Sequence, residues 1–433
     1  MRSIFFTASS FAVAAVLVFA CGGGDDKRVV APTPDAAAGT PVNTVAGGQV
    51  GVVDSAGTSG LEGSAKSAYE KGWSAWLNGD LAGAKKGFQE AQSLAPKSPA
   101  PPYSLGIVEE RLGDLSGAQM AYRSAFTAAP DHELSMCAYA LSLAGSGHGG
   151  EADTFLKDKL GKNDKSPRLT TCAAEVKSIQ KDHGSAQQLA QDALRMNPDF
   201  KEAMVTIARD HYRARKLDLA KYALQAILDG FGDASPARDK DNAEARTLRG
   251  LIYREGGARA VALQDFEVAV RKRPDMVEAL VNLGSMRLEA GNATEAVPVL
   301  ESATRFGPKS AIAHLNLGDA YRLQGKYDMA KKEFDQALSL DSSLAAAHYD
   351  LGLMYLTAPS IPGTSADSQV STAIKELETY KTMRGPKAPL GVDDQIDDLL
   401  ARAKAKQAEL KNAVAQPAAA APAASGSAAP AKK

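Results

Sequence analysis

Histidines are the first candidates for chemistry in this chain, which contains six of them. None stands in an HExxH pair or in a Cys/His cluster with metal-ligand spacing. His314 and His348 occupy the same place of two neighbouring sequence repeats. That register places no carboxylate or thiol beside them, so it favours a packed, hydrogen-bonded pair of histidines over a metal site.

A glycine-rich run from Gly145 to Gly150 fits the letters of the dinucleotide fingerprint GxGxxG. That motif binds a pyrophosphate only where it joins a strand to a helix in a βαβ unit. No strand pattern precedes Gly145, so we expect the run to form a turn between two helices. The sequence also has no GxSxG element and no P-loop. We therefore predict a protein that is not an enzyme and that uses no cofactor, metal or small-molecule substrate.

Cys21 follows an apolar N-terminal segment of the kind that directs export. Residues 1–20 begin with one cation, Arg2, and continue from Ile4 as IFFTASSFAVAAVLVFA, which is too short for a membrane-spanning helix. The letters VFAC, followed by GGGDD, resemble the lipobox of bacterial lipoproteins, with Leu17 one place earlier than in the commonest arrangement.

The resemblance implies cleavage before Cys21 and a lipid on its thiol. Buried acyl carbons hold a chain at a bilayer by about 0.8 kcal/mol per CH₂. Because Gly22 follows the cysteine, the resemblance also implies the outer membrane, with the chain facing the periplasm. The alternative is an ordinary secretory signal with a coincidental cysteine.

Most of the chain is built from sequence repeats of constant length, with a period of about 34 residues. Gly or Ala fills the eighth place of every unit and the twentieth place of the first eight units, where only a short side chain lets two helix backbones cross closely. A bulky residue such as Phe88 or Phe334 fills most twenty-fourth places, Gly is common at the fifteenth, and Pro closes most units. The nine units begin at Ala65, Pro99, Glu133, Pro167, Lys201, Ala243, Val277, Ala311 and Ala345.

This pattern resembles the tetratricopeptide repeat (TPR) family over residues 65–384. The resemblance implies an all-α superhelical solenoid of about nine helix-turn-helix repeats. An amphipathic segment within residues 385–415 predicts a C-terminal capping helix on the last repeat. Unit three departs from the pattern at Lys159 and Asp164, which predicts a distorted second helix in that unit.

Composition divides the rest of the chain. Residues 1–20 form the predicted signal peptide, residues 21–64 a flexible linker rich in Gly, Ala, Thr and Pro, and residues 416–433 an Ala/Pro-rich tail that we expect to be disordered.

Two insertions interrupt the repeats. Residues 235–242 separate units one to five (65–234) from units six to nine (243–384), and we expect them to act as a hinge. Nine extra residues around PSIPGTSADSQ in unit nine predict a projecting loop.

Cys137 and Cys172 occupy the fifth and sixth places of adjacent units. An exported chain reaches a compartment in which disulfides form. Helix axes about 8–10 Å apart often leave Cα atoms beyond the limit of roughly 7 Å for a disulfide. The sequence therefore leaves both a disulfide and two free thiols open.

In the TPR architecture the first helices line a concave face, at places two, five, nine, twelve and thirteen of each unit. In units one and two these columns collect aromatic residues, including both tryptophans of the chain, and aromatic residues flanked by charge are typical of binding hot spots. The alternative is that the linker, or a helix before Ala65, folds over Trp73 and Trp76 as a cap. Later units add arginines among glutamates, which suit either an acidic segment of a partner or a solvated mixed-charge face. The predicted partner-binding residues are Tyr69, Trp73, Trp76, Tyr103, Ile107, Arg168, Arg209, Tyr212 and Arg213.

Charge argues against nucleic acid as a partner, because 50 Lys and Arg balance 51 Asp and Glu. The sequence instead favours a membrane-anchored TPR scaffold that mediates protein–protein interactions in a bacterial cell-envelope complex. TPR lipoproteins act in pilus and secretin assembly and in gliding motility, and the linker-tethered nine-unit form most resembles the myxobacterial gliding-motility group. The alternative is a structural envelope spacer without a ligand in its groove.

Overall fold

The computed structural model describes residues 60–385 and 395–415. The predicted signal peptide, Cys21, the linker up to residue 59 and the 416–433 tail lie outside these ranges. Within the described residues the chain is helical throughout, and its single β bridge joins Gly230 to Pro236. Among these helices we find none with the length and apolar character needed to cross a membrane.

The helices alternate with short connections along the chain. They are α1 (Gly63–Leu77), α2 (Leu81–Leu94), α3 (Ala100–Leu112), α4 (Leu115–Ala128), α5 (Glu133–Gly145), α6 (Gly149–Lys162), α7 (Pro167–Ile179), α8 (His183–Met196), α9 (Lys201–Arg213), α10 (Leu217–Leu228), α11 (Ala243–Glu255), α12 (Arg259–Lys272), α13 (Val277–Glu289), α14 (Ala293–Phe306), α15 (Ala311–Leu323), α16 (Tyr327–Leu340), α17 (Ala345–Thr357), α18 (Ala366–Arg384) and α19 (Ile396–Ala415).

Helices α1 to α18 form nine consecutive helix-turn-helix pairs, and each pair packs against the next. The first helix of each pair begins at or close to a predicted unit start. Helix α19 packs on α18 at the end of the array. The predicted all-α TPR superhelix of about nine repeats with a C-terminal helix is confirmed.

Where glycine fills the eighth place of a unit, the side chain at the twenty-fourth leaves no room for a Cβ atom. A Cβ atom on Gly106 would lie 2.3 Å from Cε1 of Tyr122, and one on Gly318 would lie 2.6 Å from Cδ1 of Phe334. Both rings are fully buried. The two helices of a unit thus pack closely because one contributes no side chain where the other contributes a ring.

The turn inside a unit is set by local backbone chemistry. Gly113 ends α3 in the left-handed region, at φ 81°, which glycine adopts without strain. Asp114 then caps α4, where its Oδ1 accepts a hydrogen bond from the Gly117 N–H at 2.8 Å. These two residues stop one helix and start the next within the turn.

The second helix of unit three is regular, so the prediction of a distorted helix is wrong. Helix α6 has 14 residues, as α4 does, and it buries Ala152 and Leu156. Lys159 is tolerated because its ammonium group lies 5.6 Å and 5.2 Å from the ring centres of Phe126 and Phe155.

The first insertion is bonded to the helices on its N-terminal side. Arg238 contacts Asp199 at 3.1 Å and donates to the carbonyl of Ala226, also at 3.1 Å. The Asp239 N–H donates to the carbonyl of Ile227 at 2.9 Å. That this insertion acts as a hinge stays a prediction.

The second insertion is anchored to the solenoid at one apolar residue while most of its other residues are exposed, so the prediction of a projecting loop holds only in part. Ile361 and Ala358 are buried in the core of the last repeats. Gln369 holds the loop from α18, since its amide donates to the carbonyls of Tyr355 and Ala358 at 3.0 Å and 2.7 Å. An apolar residue within the loop draws it onto the solenoid.

Helix α19 covers the last repeat with one apolar face. Ile396, Leu399, Leu400 and Ala403 are buried. Leu410, which the same apolar pattern includes, is half-buried. Residues 386–394 of the predicted capping segment lie outside the described residues.

Candidate functional site

The candidate site is the inner surface, defined here as the side formed by the first helices of the nine units. First helices of successive units contact one another directly, as α5 does with α7, and α7 with α9. Side chains at places nine, twelve and thirteen therefore meet across unit boundaries.

The predicted aromatic residues of unit one belong mainly to the core. The Tyr69 hydroxyl lies 3.0 Å from Oγ of Ser104, and its ring centre lies 5.1 Å from that of Phe88. Ile107 is fully buried, and half-buried Trp73 packs against the same core. These residues join units one and two, which the sequence pattern alone did not indicate.

Trp76 is covered by a distant part of the chain. Its side chain is 1% exposed, and its ring centre lies 6.2 Å from that of Phe306 on α14. Arg111 places its guanidinium 6.0 Å from the centre of the indole ring. Unit seven therefore covers Trp76, where the sequence offered an open groove or a cap from the linker or from a helix before Ala65.

Unit two encloses polar atoms of two further side chains. The Tyr103 hydroxyl and Oε2 of Glu110 are buried, without a hydrogen-bond partner among the described residues. Burial raises the pKa of Glu110 to about 7, against smaller opposing effects of Tyr122, Arg111 and Ser142. Burial also raises the pKa of Tyr103 well above its usual range. Predicted site residue Tyr103 thus stands in an enclosed polar environment.

A network of charges crosses the inner surface at units four to six. The buried carboxylate of Glu175 in α7 forms ion pairs with Arg209 at 3.1 Å and with Arg213 at 2.8 Å, both from α9. Arg209 also reaches Glu244 of α11 at 3.0 Å. Burial alone would raise the pKa of Glu175, but Arg213 and Arg209 outweigh it and lower that pKa to about 2. Glu175 is therefore a carboxylate at all physiological pH values.

The remaining predicted residues are also paired within the chain. Arg168 lies 3.5 Å from Glu202 and 5.5 Å from the ring centre of Phe200. The Tyr212 hydroxyl donates a hydrogen bond to Glu255. The structure thus brings Arg168, Arg209, Tyr212 and Arg213 onto one surface, where glutamates of neighbouring units balance the arginines.

Two buried aspartates in units eight and nine were missed by the sequence reasoning. Asp350 is 2% exposed, and its Oδ1 has no hydrogen-bond partner among the described residues. Burial, together with nearby Asp319, raises the pKa of Asp350 well above its usual range. Arg322 donates to Asp319 at 2.8 Å. Asp319 stands at place nine, an inner column in which the sequence reasoning noted glutamates but not this aspartate, and Asp350 stands at place six, outside the inner columns.

The expected pair of His314 and His348 is wrong. Nδ1 of His314 lies 2.6 Å from Oε2 of Glu333, and Nδ1 of His348 lies 2.6 Å from Oε2 of Glu376. Each histidine bonds to the second helix of its own unit. Both glutamates fall at place twenty-three once the insertion is discounted, so the signal was present in the sequence. In the ranges that the structure covers, no three or more His, Cys, Asp or Glu residues are grouped to hold a metal ion.

The glycine-rich run is a turn. Helix α5 ends at Gly145, α6 begins at Gly149, and Gly147 between them has φ 87°. The run joins two helices of unit three, as its sequence context predicts.

Cys137 and Cys172 form a disulfide, with Cα atoms 5.6 Å apart. Cα atoms that face each other across two helices come this close at the usual axis spacing of about 8–10 Å, because each lies about 2.3 Å from its own axis. The disulfide links units three and four and closes the question that the sequence left open.

Comparisons with known proteins agree on the class of fold. A family model described as TPR repeat matches residues 318–357, and one described as tetratricopeptide repeat matches residues 205–277 and 257–311. No curated protein matches the sequence.

One solved structure with a TM-score above 0.5 supports the same class, and two others are similar at lower scores. A chain of the crystal structure of the APC/C hetero-tetramer Cut9–Hcn1 is 17% identical with a TM-score of 0.52, over 78% of this chain and 64% of that one. A TPR protein with an unusual peptide-binding site, YrrB, is 18% identical with a TM-score of 0.39, over 51% of this chain and 100% of that one. A human IFIT1 dimer with PPP-AAAA is 14% identical with a TM-score of 0.39, over 83% and 93% of the two chains.

The paired helices, the inner surface and the first of these structural matches define a superhelical helical-repeat solenoid. The family models match TPR repeats over residues 205–311 and 318–357, and units one and two repeat the same Gly–aromatic packing, so the fold is that of a TPR superhelix. Proteins of this fold generally mediate protein–protein interactions.

Proposed function

We propose that this protein is a lipid-anchored TPR scaffold of the bacterial cell envelope that binds a segment of another envelope protein on its inner surface. The observation that carries the proposal is the continuous inner surface of nine TPR units, on which arginines and glutamates of neighbouring first helices meet. Motility, pilus and secretion assemblies are the envelope complexes to which such a scaffold belongs.

Export is supported by two independent features. The apolar leader and the VFAC sequence suit lipidation of Cys21. The disulfide between Cys137 and Cys172 suits an oxidising compartment such as the periplasm, since disulfides rarely persist in a reducing cytosol. Together they favour the periplasmic face of the outer membrane.

Partner binding is supported by the partial exposure of the inner charges. Arg213 keeps 28% of its side chain exposed while it contacts Glu175. Such half-exposed arginines form bidentate contacts with a carboxylate at little further cost of desolvation. A protein of the same fold, from the Cut9–Hcn1 hetero-tetramer, was solved together with another chain.

The anchor is tested by fractionating envelopes from cells that carry wild type, Cys21→Ala, or the linker control Thr44→Ala. We expect wild type and the control to sediment with membranes and Cys21→Ala to be released. Equal sedimentation of all three would remove the lipid anchor from the proposal.

The scaffold is tested against the spacer alternative by cross-linking and recovery from envelope membranes. Arg213→Ala removes an inner arginine, and Arg195→Ala removes a 66% exposed arginine on the outer helix α8. If the protein is a scaffold, one specific envelope protein should be recovered with wild type and with Arg195→Ala but not with Arg213→Ala. Recovery that is unchanged by either variant would favour the spacer.

A further inference from the structure

The first and seventh units of the solenoid touch each other through an apolar contact. Trp76 of α1 and Phe306 of α14 are 1% and 5% exposed, with ring centres 6.2 Å apart. Arg305 also donates to the carbonyl of Asn78 at 3.4 Å. The superhelix therefore closes one turn onto its own beginning.

A charged contact lies beside the apolar one. Asp275, in the connection between α12 and α13, is 7% exposed. Arg273 donates to both carboxylate oxygens of Asp275 at 2.9 Å, and Arg111 of α3 lies 3.9 Å from one of them, Oδ2. Asp275 thus separates two guanidinium groups that would otherwise repel each other. Arg111 joins both contacts, since it also lies over the Trp76 ring.

The residues on the N-terminal side of this contact belong to the inner surface. Trp76 is at place twelve of unit one, and Arg111 is at place thirteen of unit two. In this structure their neighbours are an aromatic ring and a carboxylate supplied by the same chain. The Tyr103 hydroxyl and Oε2 of Glu110 in unit two are buried without a hydrogen bond among the described residues, although Tyr122 and Ser142 lie near Glu110, and burying such atoms costs the closed structure some stability.

We propose that this contact is an autoinhibitory latch. Phe306 packs against Trp76 and Asp275 faces Arg111, so these two residues act as an internal ligand. A partner segment that carries a carboxylate beside a bulky apolar side chain opens the latch by taking their place. The class of partner rests on the proposed scaffold function, whereas the latch itself does not.

Both tryptophans of the chain lie on α1, so intrinsic fluorescence of the full chain reports on the latch. Asp275→Asn leaves Arg111 facing Arg273 without a carboxylate between them. We expect the open population to rise about tenfold, which corresponds to about 1.4 kcal/mol, and acrylamide to quench the tryptophans more strongly. Phe306→Ala should act in the same direction.

Asp199→Asn is the matched control, because Asp199 also follows a proline in a connection between units but pairs with Arg238. Its quenching should equal that of wild type. Far-UV circular dichroism verifies that each variant is folded. If folded Asp275→Asn and Phe306→Ala are quenched no more than wild type, there is no latch.

The partner class is tested with a synthetic peptide of alternating Asp and Phe residues, followed through the same fluorescence. Asp275→Asn should bind it about tenfold more tightly than wild type, because less of the variant is closed. Equal affinities, or no binding to an opened variant, would overturn the assignment of the ligand. Neither result would alter the capture of a partner at Arg213, so failure here is distinguishable from failure of the scaffold function.

Discussion

Replacing Glu175 with glutamine tests whether the inner charge network stabilises the solenoid. The carboxylate is buried and bound by Arg209 and Arg213 at 3.1 Å and 2.8 Å. Glutamine keeps the shape and removes the charge. The two arginines then remain close together, with Glu244 as the nearest balancing group for Arg209.

The magnitude follows from the pKa of Glu175, which falls from its ordinary value of 4.5 to about 2 in the folded protein. Each pH unit of that difference corresponds to about 1.4 kcal/mol, so the charged form contributes about 3 kcal/mol at neutral pH. Because the folded-state pKa is the lower one, this stability is present above about pH 4.5 and is lost as the pH falls towards about 2.

Urea unfolding, followed by circular dichroism at several pH values, measures the effect. The free energy of unfolding of wild type should exceed that of Glu175→Gln by about 3 kcal/mol near neutral pH. This difference should vanish as the pH falls from about 4.5 to about 2. Glu267→Gln is the control, because Glu267 is 42% exposed and 3.5 Å from Arg287, and such surface pairs contribute about 0–1 kcal/mol. A gap at neutral pH no larger than that of the control, or one that does not change with pH, would refute the reasoning.

Three further predictions concern the packing, the enclosed acid and the disulfide. Gly106→Ala should lower the free energy of unfolding by about 1–3 kcal/mol because its Cβ meets the Tyr122 ring, whereas Gly161→Ala, with open space around it, should raise it by up to about 1 kcal/mol. Urea unfolding measures both changes, and changes of the same sign would contradict the packing account. Glu110→Gln should stabilise the protein by about 3 kcal/mol at about pH 8 and by little at about pH 4, because the folded-state pKa of about 7 lies above the ordinary 4.5 and charging the buried acid costs stability as the pH rises; a stability difference that is independent of pH would disprove this. Cys172→Ala should lower the free energy of unfolding by about 3–4 kcal/mol and lower the midpoint of thermal unfolding. A variant as stable as wild type would show that the disulfide does not stabilise the fold.

The repeat architecture was predictable from spacing because each unit is stabilised by local contacts. Gly106 and Tyr122 lie within one unit, and the same pair of places recurs along the chain, so a column of small residues and a column of bulky ones indicate the packing directly. The pairing of His314 with Glu333 is equally local. It was missed because the histidines were compared with each other rather than with the second helix.

The closure of the superhelix was not predictable in this way. Trp76 and Phe306 lie in the first and the seventh unit, and no periodicity links them. Their contact depends on small rotations between units that add up over the intervening boundaries, and those rotations arise from many side-chain contacts at once. The inner columns therefore indicated residues of the first helices, but they did not show which of those residues the chain itself covers.

The most direct test of the scaffold account places a photo-cross-linking amino acid at a tyrosine on either side of the solenoid. Tyr212 lies on first helix α9, where it bonds to Glu255, and Tyr222 lies on second helix α10 with 64% of its surface exposed. After irradiation of intact envelopes, we predict that Tyr212 yields one defined adduct with another envelope protein and that the more exposed Tyr222 does not. An adduct from Tyr222 alone, or equal and diffuse labelling from both, would contradict partner binding on the inner surface.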